Sequence, residues 1–307
     1  MNSEEKSVFQ RTGPTQFVYW LGRSLPPILG MGVVWIVTVL LIVLKPTVYT
    51  AALSNLRHVL PADTPWIEVR WMLWRLLFYR TKGYYDFFHN VGRGVTVTEL
   101  NPPVRISPTV QRYIDEAMYA GRGLLIIGTH TSNYDMCGCA LAEYLPVPPL
   151  VLSIADPAPG LQFINDVRNR ARGTITPVTS VSLRDAMQKL RQGGIVMTGV
   201  DRPLEQGNDA VTLFGATAKL PTGYIRIPLI TNCLVMTVAC SYDGKAYHIL
   251  ANPPMEMERT GNRRQDKVVN LQRILAEVEA FIRQAPDEWM VFVPVWADES
   301  PQAEVVC

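Results

Sequence analysis

Leu124-Leu125-Ile126-Ile127-Gly128-Thr129-His130-Thr131-Ser132-Asn133-Tyr134-Asp135 decides the fold class of this 307-residue chain. Its first four residues are an apolar run that reads as a buried strand. Thr131, Ser132 and Asn133 all favour a helix N-cap, and the residues after them read as a helix. Strand, turn and helix in that order are the unit of an α/β fold, whose sites gather at the carboxyl ends of the strands. His130 falls at such an end. An imidazole can take a proton near neutral pH, and a carboxylate can orient it and stabilise its charged form. Asp135 is the carboxylate within reach in the sequence. Residues five apart turn through about 500° on a helix and share no face. The two can meet only if a turn leads into the helix, which puts Asp135 in the first helical turn, where a negative charge is favoured. The free N–H groups of that turn can bind a phosphate or an oxyanion. A purely structural histidine with a carboxylate neighbour is the alternative.

Outward from this stretch, helix and strand alternate. Helices are expected at 110–120, 134–144, 159–170, 181–191 and 265–283. Strands are expected at 123–128, 149–154, 174–177, 194–199, 234–241 and 245–250. The pattern predicts an α/β fold with a mixed, largely parallel sheet flanked by helices. No internal repeat or low-complexity linker divides it. The expected organisation is a tail and anchor helix over 1–48, one α/β domain over 49–300, and a tail over 301–307.

The segment upstream is different. Residues 28–44 (ILGMGVVWIVTVLLIVL) carry no charge, follow Pro26-Pro27 and end at Lys45-Pro46. Seventeen helical residues span roughly 25 Å, the short limit for a bilayer. No small-residue cleavage pattern follows, so this is not a cleaved signal peptide. A short transmembrane anchor, a helix lying in the membrane and a buried core helix remain open. Basic residues flank both ends, so charge sets no orientation. Residues 66–88 mix aromatics with Arg70, Arg75, Arg80 and Lys82, which suits a membrane interface or an ordinary amphipathic helix.

Composition agrees with membrane contact. Charged residues make up 18%, and mean hydropathy is slightly positive. The net charge of +2, without a basic run, sets nucleic acid aside. Five cysteines in a long chain are no disulfide scaffold. Cys137-Gly138-Cys139 lacks the spacing and second ligand pair of a zinc site, so buried free thiols are expected and no metal.

Three further places carry candidate function. Asp201 and Arg202 end the 194–199 strand at the same edge as His130 if the sheet is parallel. Asp201 could hold Arg202 or support the histidine, and a surface turn is the alternative. Arg168, Arg170 and Arg172 cluster around the end of the 159–170 helix, where guanidinium groups could meet an anionic head group or simply be solvated. Phe214-Gly215 to Pro221-Thr222-Gly223 reads as a turn-rich link whose small residues allow close approach of an acyl chain or pantetheine arm. An ordinary loop is the alternative.

Taken together, these segments resemble the lysophospholipid acyltransferase superfamily, and within it the bacterial lipid A biosynthesis lauroyl/myristoyl acyltransferase branch. His130 and Asp135 match the superfamily's H-x4-D motif. Ser54-Asn55-Leu56-Arg57 with Pro61 looks like the branch's early "R-x-N-L … P" segment. Residues 193–201 look like its "G-G-x-V-x-x-x-x-D" strand. Phe214-Gly215, Pro221 and Gly223 resemble its "F-F-G-x-x-A-x-x-P-x-G" segment, and Pro286, Trp289 and Trp296 its C-terminal "P-x-x-W … W". Ser54, Arg202, Leu213 and Val295 depart from the branch's residues at their positions, and the "F-P-E-G" of the phosphate acyltransferases is absent. The resemblance covers roughly residues 20–297. It implies O-acyl transfer from acyl carrier protein or acyl-CoA, as co-substrate and without other cofactor, to a hydroxyl of an anionic lipid or glycolipid. It implies His130 as general base and Asp135 as its orienting partner. Oxyanion or head-group support would come from Asn133 and the helix start, Asp201, Arg202, Arg168 or Arg170, and donor contacts from Phe214, Gly215, Pro221 and Gly223. The place implied is the bacterial inner membrane, with the site facing the cytoplasm. Competing readings are a lipid ester or thioester hydrolase with Ser132 as nucleophile, which lacks the G-x-S-x-G elbow, an inactive lipid-binding protein, and a metal enzyme.

Overall fold

The computed structural model describes residues 11–296. The expected tail over 301–307 and the first ten residues lie outside that range. Four helices come first: α1 (Thr12–Ser24), α2 (Pro27–Leu44), α3 (Thr47–Val59) and α4 (Trp66–Asn90). The alternating part follows: β1 (Val104–Ile106), α5 (Pro108–Tyr119), β2 (Leu124–Gly128), α6 (Tyr134–Tyr144), β3 (Leu150–Ser153), α7 (Pro159–Arg168), β4 (Thr174–Pro177), α8 (Ser180–Arg191) and β5 (Ile195–Gly199). Then come β6 (Asn208–Leu213), β7 (Ala216–Pro221), α9 (Arg226–Thr231), β8 (Leu234–Tyr242), β9 (Tyr247–Ala251) and α10 (Arg263–Gln284).

Seven strands form one sheet in the order β1-β9-β8-β2-β5-β3-β4. Strands β8, β2, β5, β3 and β4 run parallel, while β9 is antiparallel to β8 and carries β1 beside it. The largely parallel α/β sheet expected from the alternation is the fold observed. β2 sits between β8 and β5 with both faces covered, so Leu124 to Ile127 are all fully buried, as a continuous apolar run requires. Leu124 and Ile126 join a core with α5, α6 and α7. Leu125 and Ile127 join the opposite core with α8, α10 and Trp289.

Two regions differ from the expectation. The expected N-terminal tail contains α1, which docks Tyr19 and Gly22 against Phe88 of α4. The turn-rich link at 214–223 is mostly a β-hairpin, β6 and β7, whose tight turn uses Phe214 and Gly215 at positive φ.

The apolar helix α2 is the one helix among the described residues long and apolar enough to cross a membrane. Only Gly30, Val34 and Thr38 are buried. This i, i+4, i+8 stripe faces α4. A Cβ on Gly30 would meet the Tyr85 ring at 2.1 Å, so the glycine permits the contact. Trp35 lies against Phe78 and Trp74, each ring centroid 5.2 Å away. Gly30 therefore meets residue 85 while Trp35 meets 78 and 74, and the two helices lie side by side, antiparallel. The outer face of α2 presents Ile28, Leu29, Ile36, Val39, Leu40, Val43 and Leu44.

Candidate active site

β2 and β5 pair in parallel with Gly128 opposite Gly199. His130 and Asp201 each lie two residues beyond those glycines, so the register delivers them side by side. Asp201 Oδ1 is 2.6 Å from His130 Nδ1, and Oδ2 accepts the His130 backbone N–H at 2.9 Å. Trp289 Nε1 donates to Oδ2 at 2.8 Å. Asp201 is fully buried, while the His130 side chain is 23% exposed. Burial opposes the Asp201 carboxylate, but the His130 ring, Trp289 and the backbone N–H overcome it and hold its pKa below the usual range. Nδ1 held by a carboxylate leaves Nε2 with its lone pair in the neutral ring.

The histidine has little room to move. A Cβ on Gly199 would sit 2.7 Å from His130 Cε1, so glycine is required where the ring crosses β5. The loop is also pinned from the C-terminal segment. Met290 N–H donates to His130 O, and Ser132 N–H to Glu288 O, both at 2.7 Å. That segment is held in turn by Asn55, whose amide donates to Val291 O and Val293 O and accepts from Val295 N–H. His58 stacks on Trp296, with ring centroids 4.3 Å apart. The early N-L-R segment and the late W…W segment thus meet to support Trp289.

Asp135 is elsewhere. The expected His130–Asp135 pair does not form: the ring's hydrogen bond goes to Asp201, and Asp135 makes a close ion pair with Arg168. The reason is directional. Asp135 lies inside the first turn of α6 and faces α7, where Arg168 ends the helix and also donates to Asn165 at 2.7 Å. Burial opposes the Arg168 charge, but Asp135 and Tyr134 outweigh it and raise its pKa. Between the two carboxylates stands Tyr134, edge-on to the His130 ring at 4.7 Å. Its hydroxyl accepts from Arg80 at 3.3 Å, and Arg80 also donates to Tyr84 and lies 4.0 Å from that ring's centroid. Arg80 makes no ion pair with a described residue.

The other expected residues scatter. Asn133 caps α6 by accepting from Met136 N–H and donates to Gly83 O of α4 at 3.1 Å, which makes it a tie between helices. Arg170 donates to Tyr19 and to Gly92 O, bracing α1, and Arg172 donates to Leu145 O and Pro146 O. Arg202 is exposed and bonds to no described residue, so Asp201 holds His130 rather than Arg202. Phe214 packs on Trp289 and Trp296, one layer behind Asp201, and Gly215, Pro221 and Gly223 shape the hairpin and the turn after it. Ser132 is tied to Glu288 O through its N–H, its hydroxyl favours the Glu288 carboxylate, and the hydrogen bond of the His130 ring goes to Asp201. Burial pushes the Cys139 thiol up to about 12 and Cys137 well above the ordinary range, so neither is a ready nucleophile. Arg80 and Tyr134 were missed as site residues, since Arg80 lay within a basic, aromatic run that could as well face a membrane.

Residues 104–298, more than half of the chain, match the sequence profile of the bacterial lipid A biosynthesis acyltransferase family. The chain belongs to this family. The matched span contains His130, Asp135, Arg168, Asp201 and Trp289. A protein named phosphatidylinositol mannoside acyltransferase from Mycobacterium tuberculosis (strain ATCC 25618 / H37Rv) is 20% identical over 187 residues, 60% of this chain and 58% of that protein. The protein of the same name from Mycolicibacterium smegmatis (strain ATCC 700084 / mc(2)155) is 21% identical over 184 residues, 59% of each. The chain spans under three-fifths of the length of these curated relatives. Family membership accounts for the motif order around the site, while helices α1 to α4 lie before the matched span.

Proposed function

We propose that the protein is a membrane-associated O-acyltransferase that moves a fatty acyl group from acyl carrier protein or acyl-CoA to a hydroxyl of an anionic lipid or glycolipid. The observation that carries this reading is the Asp201 carboxylate on His130 Nδ1 at 2.6 Å, with Trp289 and a backbone N–H on the same carboxylate. His130 Nε2 takes the proton of the acceptor hydroxyl as its oxygen attacks the thioester carbonyl. Asp201 stabilises the imidazolium so formed. The tetrahedral intermediate collapses, the C–S bond breaks, and the leaving thiolate takes the proton back from Nε2. No covalent enzyme intermediate is required. The thioester supplies the driving force.

Arg80 and Arg168 bring two guanidinium charges to the Asp135 side of His130, while the second carboxylate, Asp201, is turned onto Nδ1 and Trp289 on the other side. On the Asp135 side this favours a negative charge, either a head-group phosphate or the developing oxyanion, together with the amides of the first turn of α6. The motif carboxylate Asp135 then serves by fixing Arg168, and Asp201 takes the role that the motif alone suggests for Asp135. The commitment of Ser132 to Glu288 disfavours the hydrolase reading.

The exposed apolar face of α2 and the lipid acyltransferase family support membrane seating, which we assign to the cytoplasmic face of the inner membrane. Because α4 lies antiparallel beside α2 and carries Arg70, Arg75 and Arg80, a spanning α2 would bring those arginines to bilayer depth at several kcal/mol each. A helix lying within one leaflet avoids this cost. The test is lipid mass spectrometry on cells with wild-type protein or the His130→Ala variant. A newly acylated lipid that disappears with His130→Ala is expected, with transfer by the folded variant down 10²- to 10⁴-fold. Transfer that survives the substitution overturns the mechanism.

A further inference from the structure

The face of α4 carrying residues 82, 86 and 89, continued by Arg93 in the turn that follows, borders a cavity of about 460 Å³ that the mechanism above does not use. Small-molecule sites fall in this size range, roughly 300–1,000 Å³. On its floor Lys82 and Asp86 form a buried ion pair, and Tyr247 donates to the same carboxylate oxygen, Oδ2, at 2.5 Å. Oδ1 accepts nothing from the described residues, although Asp86 is 3% exposed and lines the cavity. A carboxylate oxygen without a protein donor at a cavity floor is open to a hydroxyl supplied by a ligand.

The charge of the walls narrows the ligand class. Lys82 and Arg93 balance Asp86 and Glu99. His89 Nε2 lies 3.1 Å from the Arg93 guanidinium, which can only donate, so the ring nitrogen accepts there. The formal sum is zero, which suits a neutral polyol better than a phosphate. Tyr85 and Tyr242 add aromatic rings to the lining. Pro27 and Met31 of α2 complete the rim, so a lipid whose chains lie along α2 brings its head group to this mouth.

We infer that this cavity is a head-group site for a neutral glycolipid, an inference that rests on the membrane-seated reading of α2. The site touches the reaction centre at two places: Gly83, next to Lys82, accepts the hydrogen bond from Asn133 that ties the start of α6 to α4, and Tyr242 donates its N–H to Glu288, whose carbonyl holds Ser132. Two sources share the ligand chemistry, namely the acceptor itself and a bystander glycolipid that seats the enzyme.

The test is photo-crosslinking of the full chain in phosphatidylcholine nanodiscs. The probes are diglucosyl diacylglycerol and phosphatidylglycerol, each with a diazirine on the head group. Adducts at residues 82–102 or 242 are expected at least fivefold more with the glycolipid. Asp86→Asn should cut them at least fivefold. Glu99→Arg, at the exposed rim, should shift the preference at least threefold towards phosphatidylglycerol, and it decides the matter if Asp86→Asn does not fold. His130→Ala should keep the adducts. Equal labelling by both probes, or labelling unchanged in both cavity variants, overturns the site. With an acyl thioester added, acylation of the glycolipid names it the acceptor; labelling without acylation names it a bystander, and both outcomes support the site. A wild type that labels here but never cleaves an acyl thioester sinks the acyltransferase reading alone.

Discussion

Asp201 and Asp135 approach the same histidine loop from opposite sides, and their surroundings differ in kind. Asp201 arrives from β5 into the core that holds Trp289. Its contacts are the imidazole, the backbone N–H of the same histidine and Trp289. Asp135 arrives from the first turn of α6 and faces a guanidinium with solvent nearby; the Arg168 side chain is 18% exposed. One carboxylate is arranged to hold an imidazole, the other to hold a cation. Proximity in sequence favours Asp135, and geometry favours Asp201.

The largest effect should come from exchanging the two carboxylates for amides. Asp201→Asn keeps the shape but can donate to Nδ1, which favours the tautomer with its proton on Nε2. Turnover is expected to fall by 10²- to 10⁴-fold, while KM changes little. Asp135→Asn is expected to cost less turnover and more stability, because it leaves Arg168 without its partner. Removing one member of a buried pair costs about 3–5 kcal/mol, a ceiling for this partly exposed one. Adding Arg168→Gln should recover much of that loss. Steady-state kinetics and urea melts on the single and double variants check both halves. An Asp135→Asn variant with the larger loss of turnover would restore the sequence-adjacent pair as the catalytic one.

Gly199→Ala probes the same contact from the other side of the ring. Its Cβ would enter the space of His130 Cε1, and the ring must tilt away from Asp201. A displacement near 1 Å is worth about 10²-fold in rate. The expected signature is that loss, with thermal stability close to wild type. Full activity would mean that the imidazole tolerates another position and that the Asp201 contact is not what places it.

The strand-to-helix segment, the parallel sheet and His130 at a strand end were legible because they depend on local pattern. Leu124 to Ile127 could only be a strand buried on both faces, and 131–133 could only open a helix. The partner of His130 was not legible in the same way. Asp201 sits beside it because β5 neighbours β2, although β3 and β4 come between them in the chain. Strand order is a tertiary fact that hydrophobic periodicity does not encode. Once the order is known, the offset of 71 residues that pairs Leu124 with Ile195 also pairs 130 with 201. The hairpin at 208–221 was hidden for another reason: its turn places Phe214, not the usual Asn or Asp, at positive φ. Arg80 was visible only as one of several basic residues among aromatics, and nothing local separates a buried guanidinium from one at an interface.

Trp289→Phe sharpens the comparison more gently. It removes one of the donors to Asp201 while keeping most of the packing. Hydrogen bonds to a charged group are worth about 1.5–3 kcal/mol. Turnover should fall on the order of tenfold, and the stability that Asp201 contributes at neutral pH should be lost at a higher pH on acidification than in wild type. That contribution exists because the folded pKa is depressed, so it is present at neutral pH and disappears as pH falls through the depressed value. Acid melts of Trp289→Phe beside wild type read the shift directly.

Glu288, one residue before that tryptophan, should behave in the opposite sense and leave turnover nearly untouched. Burial raises its carboxyl to about 7, with Asp287 adding to the shift and Ser132 and the Tyr242 N–H opposing it. A carboxyl with a raised folded pKa binds its proton more tightly when folded. Stability from this group therefore falls as pH rises from the ordinary carboxyl value near 4.5 to about 7, and is level beyond. The full cost is on the order of 3 kcal/mol. Glu288→Gln has no such titration, and its amide oxygen can still accept from Tyr242 N–H while its NH2 meets Ser132. Its advantage over wild type should be small at pH 4.5, grow through pH 7 and then stay constant. Melting curves across pH 4.5 to 8 would show this. A constant difference at every pH would mean that the Glu288 carboxyl ionises as if in water, and that the segment clasping His130 is open to solvent.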